Sequence, residues 1–276
     1  MLDTRESPYG ADTIVGDVTD LDAVASAAHG CDAIVHLAAM ADVNEVKDAP
    51  VATEWVNARG TLAVLEAARA ERCRVVYAST IWVYGDGAAD EDAPLSAPAH
   101  VYTATKLAGE LYCRAYNELY GVEYTILRFG IPYGPRAREA AVLPAFVIRA
   151  HAGEPLTIAG TGEQSRRFVY VEDLAEGVVA ALAPAAADRV YNLVGDESVT
   201  ILEIAELVRR LVRRVDIVHV EGRRGDFPGV EVSGERAARE LGWRATTPFA
   251  EGARRYVDWY VSTITSAADG SFAKSA

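Results

Sequence analysis

Lysine is almost missing from this chain of 276 residues, where three lysines, at 47, 106 and 274, stand beside 24 arginines. We read the imbalance as an Ala/Arg-rich compositional bias. Cysteine is equally scarce, and Cys31, Cys73 and Cys113 are odd in number with no ligand-like spacing, which speaks against a disulfide framework or a zinc site. A reducing cytoplasm is the expected compartment. The five histidines, at 29, 36, 100, 151 and 219, are scattered and read as structural or surface residues, so no metal is expected. Long apolar runs are absent too: none approaches the roughly 20 residues of a membrane helix, and the N-terminus lacks a basic-then-apolar signal pattern. Positive charge is in deficit, with a formal net charge of −13. That balance argues against a nucleic-acid or anionic-membrane partner, since phosphates call for a basic face. An anionic ligand would need a local arginine cluster.

Half the residues are hydrophobic, which suits one domain, or one large domain with a small lobe. Short apolar runs at 12–15, 32–39, 74–79, 124–130 and 189–194 read as strands, and helical patterns fall near 20–28, 52–71, 103–120 and 173–183. Such alternation implies a doubly wound α/β fold, a parallel sheet covered on both faces with its ligand crevice beyond the carboxyl ends of the strands. From about 135 the alternation breaks, and 143–175 and 200–232 read as a smaller mixed lobe capping the crevice. The expected division is 1–134 as the nucleotide-binding domain, 135–264 mainly as a substrate lobe with 168–194 returning to the sheet, and 265–276 as a frayed tail.

Within "HVYTATKLAGE" (100–110), Tyr102 and Lys106 stand at i and i+4, on one helical face. An ammonium placed there can lower the phenol from its usual pKa near 10 and make it a base usable near neutrality. With 13 tyrosines available, a chance surface pair is a serious rival. The motif has company in "YASTIWVYG" (77–85), a strand ending in Ser79 and Thr80, whose hydroxyls could reach the same crevice or could be ordinary turn hydroxyls.

With "VHLAA" (35–39), "WVNARGTLAVLEAAR" (55–69), "LRFGIPYGPR" (127–136), "RRFVYVEDLAEGV" (166–178) and "YNLVGDESVTILEIAELV" (191–208), these stretches, in this order, resemble the extended short-chain dehydrogenase/reductases of the NAD-dependent sugar-nucleotide epimerase/dehydratase group, from about residue 2 to 260. The resemblance implies a Rossmann-type sheet, NAD as cofactor, a nucleotide-sugar substrate and a homodimer paired through the helices near 52–71 and 103–120. It makes Tyr102 the acid/base, Lys106 the group that lowers its pKa and holds the nicotinamide ribose, and Thr80 the donor to the reacting substrate oxygen. Asp3, Asp17 and Val18 match adenosine-binding positions. Leu37, Ala38 and Ala39 lead into a turn beneath the cofactor, which Asn57 braces, and Ile131 and Pro132 also fall on the cofactor side. In the lobe, Arg166 and Arg223 match arginines that clasp a substrate diphosphate, and Asp226 a ribose-binding acid.

A member of that group opens with a strand, a GxxGxxG loop, a helix and a second strand, and nothing here matches that loop. The glycines of "SPYGAD" (7–12) and "GTGEQ" (160–164) are isolated turn glycines. The expected alignment puts "MLD" at the end of the second strand, makes Asp3 the acid that favours NAD over NADP, and leaves the first two strands largely missing. Roughly 30 residues, the scale of a strand–loop–helix unit, are then expected to belong ahead of Met1. A truncated or misassigned start is the favoured explanation.

Dehydratases and decarboxylases of the group usually carry an acid just after the active-site Ser/Thr. Ile81 and Trp82 follow Thr80 here, so 4,6-dehydration is disfavoured and 4-epimerisation through a transient 4-keto sugar is the expected activity. Ile131 stands where the group generally has an asparagine that touches the substrate, which weakens a UDP-hexose assignment. An NAD(P)H-dependent carbonyl reductase and a non-catalytic binding protein stay open as alternatives.

Overall fold

A computed structural model describes residues 1–85, 87–222 and 229–268. The chain begins with β1 (Leu2–Asp3) and β2 (Ile14–Val15), a parallel two-stranded ladder, followed by α1 (Leu21–Ala28), which Asp20 caps by accepting from the amides of Asp22 and Ala23. Next come β3 (Ala33–His36), α2 (Val43–Asp48) and α3 (Pro50–Glu54), and α3 runs through a wider π turn (Trp55–Arg59) into α4 (Gly60–Glu71). Then follow β4 (Arg74–Thr80), a 3₁₀ turn (Ile81–Tyr84), β5 (Gly87–Ala89), α5 (Val101–Tyr120), β6 (Tyr124–Phe129) and β7 (Ile131–Tyr133). The second half contains α6 (Val142–Ala152), β8 (Leu156–Ala159), β9 (Ser165–Tyr170), α7 (Val171–Ala180), β10 (Arg189–Leu193), β11 (Ser198–Thr200), α8 (Ile201–Leu211), β12 (Ile217–Val220), β13 (Val230–Val232), α9 (Glu235–Leu241) and α10 (Phe249–Ala268).

The main sheet is parallel throughout, in the order β10-β6-β4-β3. Its central strands are near-continuous apolar runs because helices cover both faces: along β4, every residue from Val75 to Thr80 is buried. One face packs on α1, α4 and α5 through Val24, Leu65, Val75, Tyr77 and Ile126; the other packs Val76, Leu127 and Leu193 against Leu174 and Trp243. A third core, around Leu143, Phe146, Ile158, Phe168 and Tyr256, belongs to the second half of the chain. There β7, β9 and β11 form one small sheet, and β8 pairs with β12.

Strand β3 stands at the edge of the main sheet, and the β1–β2 ladder shares no strand pairing with it. The two are joined by side chains instead, since Leu2 and Ile34 pack on the same core. Among the described residues this leaves apolar side chains in solvent: Ile14, Val15, Val35 and Leu37 are all exposed.

Helix α5 lies unusually close to β4. A Cβ on Gly109 would fall 2.1 Å from the Tyr77 hydroxyl oxygen, so only glycine admits that ring. The Tyr77 hydroxyl donates to the Lys106 carbonyl at 3.2 Å, one turn earlier on the helix.

Candidate active site

The end of β4 is held from behind by α5. Residues 102, 106 and 110 are spaced by four, which places them along one helical face. Lys106 Nζ donates to the Ala78 carbonyl at 2.8 Å, and the Ser79 hydroxyl donates to Glu110 Oε1 at 2.6 Å. Glu110 is also gripped by two Arg128 nitrogens, Nε at 2.9 Å and Nη2 at 2.7 Å. The third Arg128 nitrogen, Nη1, donates to the Tyr84 hydroxyl at 2.7 Å, which in turn donates to Asn192 Oδ1 at 2.7 Å. All six side chains, Lys106, Ser79, Glu110, Arg128, Tyr84 and Asn192, are buried. This chain of bonds fixes the strand end, the turn that follows and α5 as one unit, because a buried ion pair keeps its place only when every hydrogen-bonding group is satisfied.

Thr80 ends β4 and caps the 3₁₀ turn, its Oγ1 accepting from the Trp82 amide at 3.3 Å. Ile81 turns into the core, whereas the Trp82 ring stands edge-on to the Tyr102 ring, 5.9 Å between centroids and 83° between planes. His100, the N-cap of α5, lies 5.1 Å from Trp82 and 6.3 Å from Tyr102.

Burial pushes the Tyr102 phenol up to about 12, with the positive charge of Arg138 pulling the other way. Burial also lowers the Lys106 ammonium to about 8. In this arrangement the Lys106 ammonium is turned onto the Ala78 carbonyl, and burial and Arg138 are what bear on the phenol.

On the nucleotide side, Asn57 in the π turn braces the segment after β3 from two directions. Its Oδ1 accepts from the Met40 amide at 2.7 Å, while its Nδ2 donates to the Met40 carbonyl and to Thr105 Oγ1, both at 3.0 Å. The braced segment exposes Leu37 and Ala38, with Ala39 half-buried, at the carboxyl end of β3. Asp3 ends β1 and accepts from the Arg5 amide at 3.1 Å. Asp17 follows β2, and bonds from the Thr19 amide and hydroxyl lower its pKa. Val18 is a core residue, packed within the cluster that includes Val24. This side of the sheet thus carries exposed carboxylates at Asp3 and Asp17, a braced open turn after β3 and a buried ammonium at Lys106.

The lobe-side residues are less convergent. Ile131 pairs with Phe168 and packs on the lobe core, with Pro132 next along the strand. Arg166, on β9, donates from Nη1 to the Ser165 carbonyl at 2.8 Å. Arg223 and Asp226 lie outside the described residues. A cavity of about 740 Å³ opens beside β5 and β13, lined in part by Asp90, Arg167, Glu231 and Arg244, and Thr80, Tyr102 and Lys106 are not among its lining residues. Sequence reasoning passed over the Glu110–Arg128–Tyr84 chain and Arg138; the signal for the first was a glutamate four residues after Lys106.

Buried Thr80 at the carboxyl end of β4, with half-buried Tyr102 and buried Lys106 on α5, stands at the carboxyl edge of a parallel sheet, where α/β folds bind ligands. The chain belongs to the NAD dependent epimerase/dehydratase family, whose sequence model matches residues 2–194. It is 33% identical over 251 residues to a dTDP-glucose 4,6-dehydratase of Streptomyces niveus, covering 89% of this chain and 74% of that one. The crystal structure of a UDP-glucose 4-epimerase with UDP-glucose from Thermotoga maritima superposes with a TM-score of 0.88 at 25% identity, over 94% of this chain and 87% of that one. That of a UDP-glucuronic acid 4-epimerase from Bacillus cereus, in complex with UDP-glucuronic acid and NAD, gives 0.85 at 27% identity, over 91% and 82%.

Proposed function

We propose that this protein is an NAD-dependent epimerase that inverts C4 of a nucleotide sugar. Its relatives include both epimerases and dehydratases, and the observation that favours epimerisation is the pair behind Thr80. Ile81 is buried and Trp82 packs on Tyr102, so neither position offers a group that could move a proton at a second carbon.

NAD, when bound, would supply the hydride acceptor and donor for C4. The chain's own residues manage the proton. Thr80 Oγ1 holds the C4 oxygen while the Tyr102 phenolate removes its hydroxyl proton, leaving a 4-keto sugar; the same phenol gives the proton back as the inverted alcohol forms. For this the phenol must come down from about 12. With a pKa of about 8, Lys106 is still mainly charged near neutrality. Freed from the Ala78 carbonyl, its ammonium is the group within one helical turn that can favour the phenolate and hold the ribose. Asp3, Asp17 and the braced turn at Leu37, Ala38 and Ala39 would seat the rest of the dinucleotide, with Val18, Ile131 and Pro132 lining its path. In the lobe, Arg166, with Arg223 and Asp226, would take the substrate's nucleoside diphosphate. We further propose a cytoplasmic homodimer formed through α4 and α5, and a division of labour in which 1–134 binds cofactor and 135–264 mainly binds substrate.

The test is a panel of UDP-, dTDP- and GDP-sugars with catalytic NAD. An epimer should accumulate to equilibrium with no net change in nicotinamide absorbance. Stoichiometric consumption of reduced nicotinamide on a carbonyl substrate would instead identify a reductase, and a 4-keto-6-deoxy product a dehydratase.

A further inference from the structure

We propose that Trp82 sets sugar specificity, making the wall that receives the C5–C6 end of the hexose apolar, so that the preferred substrate is a nucleotide-linked 6-deoxy sugar. The inference rests on the reading of the crevice as a nucleotide-sugar site. The 3₁₀ turn after β4 bends back on itself through the bond from the Trp82 amide to Thr80 Oγ1, which carries the indole beside the group that would hold the reacting oxygen. The ring then meets Tyr102 edge-on at 5.9 Å and is backed by His100 at 5.1 Å. An oxygen held between Thr80 and Tyr102 sits on C4, so the atoms next to the indole are the substituents of C3 or of C5.

These two ends differ chemically. C3 of a hexose carries a hydroxyl, and the carbon face of an indole, as distinct from its single N–H, would strip that hydroxyl of water without pairing it. C5 carries C6, which can be a methyl group, and a methyl against an aromatic face loses nothing and gains buried area. Ile81, buried behind the indole among Val83, Tyr84, Val194 and Val232, adds no polar group to that wall. The rival is a uronate, whose C6 carboxylate would be drawn to Arg138, the cation that bears on Tyr102. Arg138, however, has a side chain 61% exposed and ion-paired to Asp42 at 3.4 Å, whereas Trp82 packs directly on the phenol ring.

Calorimetric titration in the presence of NAD tests this without requiring turnover. The probes are 6-deoxyglucose, glucose and glucuronate, each as its UDP and dTDP derivative, against wild type, Trp82→Phe and Trp82→Ala. Wild type should favour the 6-deoxy sugar over glucose by about 10- to 100-fold, the range an apolar pocket achieves with one small group. Trp82→Phe should keep most of that ratio, and Trp82→Ala should bring it near unity. A wild-type preference for glucose or glucuronate, or a ratio unmoved in Trp82→Ala, overturns the assignment even if epimerisation is observed. The expected ratios without any epimer formed would uphold Trp82 as the selector and remove the epimerase reading; failure of all six ligands to bind overturns both.

Discussion

Tyr102 and Lys106 carry opposite burdens from the same burial. For Lys106 the ordinary pKa is 10.5 and the folded value about 8, so between these the unfolded chain binds more protons. Folding stability therefore rises with pH across that window: below about 8 both states hold the charge and burying it is costly, while above 10.5 neither holds it. Chemical denaturation of wild type and Lys106→Met should diverge accordingly, the variant lacking the rise between pH 8 and 10.5. If both respond alike, the buried ammonium is misplaced. For Tyr102 the expected effect is kinetic. Tyr102→Phe removes a hydroxyl and should retain fold and NAD affinity, but lose roughly 10²–10⁴-fold in kcat on an identified substrate. Turnover at the wild-type rate would remove the tyrosine from the mechanism.

Among the elements, β4, β6 and α5 matter most, because Glu110 of α5 pairs with Arg128 of β6 and accepts from Ser79 of β4 inside the core. Arg128→Met leaves Glu110 buried with its charge uncompensated and should cost about 3–5 kcal/mol, whereas pairing it with Glu110→Gln should recover a good part of that loss. Urea unfolding of the two variants decides, and equal losses would mean that the ion pair has no special standing. This pair was hard to read in the sequence because Arg128 sits inside an apolar strand and its partner 18 residues earlier on a helix; only the sheet brings them together. Periodicity did locate the elements themselves: apolar runs at 74–79, 124–130 and 189–194 became β4, β6 and β10 with ends moved by a residue, since fully buried parallel strands leave a continuous signature. The helix expected over 52–71 begins at Pro50 and widens into a π turn at Asn57, an irregularity that helical spacing alone does not announce. Similarly, the Tyr102–Lys106 spacing was legible, but the direction of the lysine head was not, because it depends on the Ala78 carbonyl of another element.

At the scale of the whole sheet, β3 is an edge strand among the described residues, with Val35 exposed. An edge strand with exposed apolar side chains is a template for pairing with other chains. Val35 points outward there, and Val35→Lys should reduce light scattering of concentrated protein without changing its folded circular dichroism. Unchanged scattering would move the source of association elsewhere, for example to Val51 and Trp55, which are also exposed.

The Tyr77 ring seated over Gly109 bears on how this site could be redesigned. The separation between strand end and helix is set by an atom that is not there, on the side of α5 that packs on β4. Gly109→Ala would lift α5 off β4 and carry Tyr102 and Lys106 away from Thr80 together, without altering a single functional group. Trimming the ring in the same variant, as Tyr77→Phe, would let the helix settle part of the way back. Gly109 and Tyr77 thus act as a spacer and its shim, and together they set how closely α5 carries the acid/base to the end of β4.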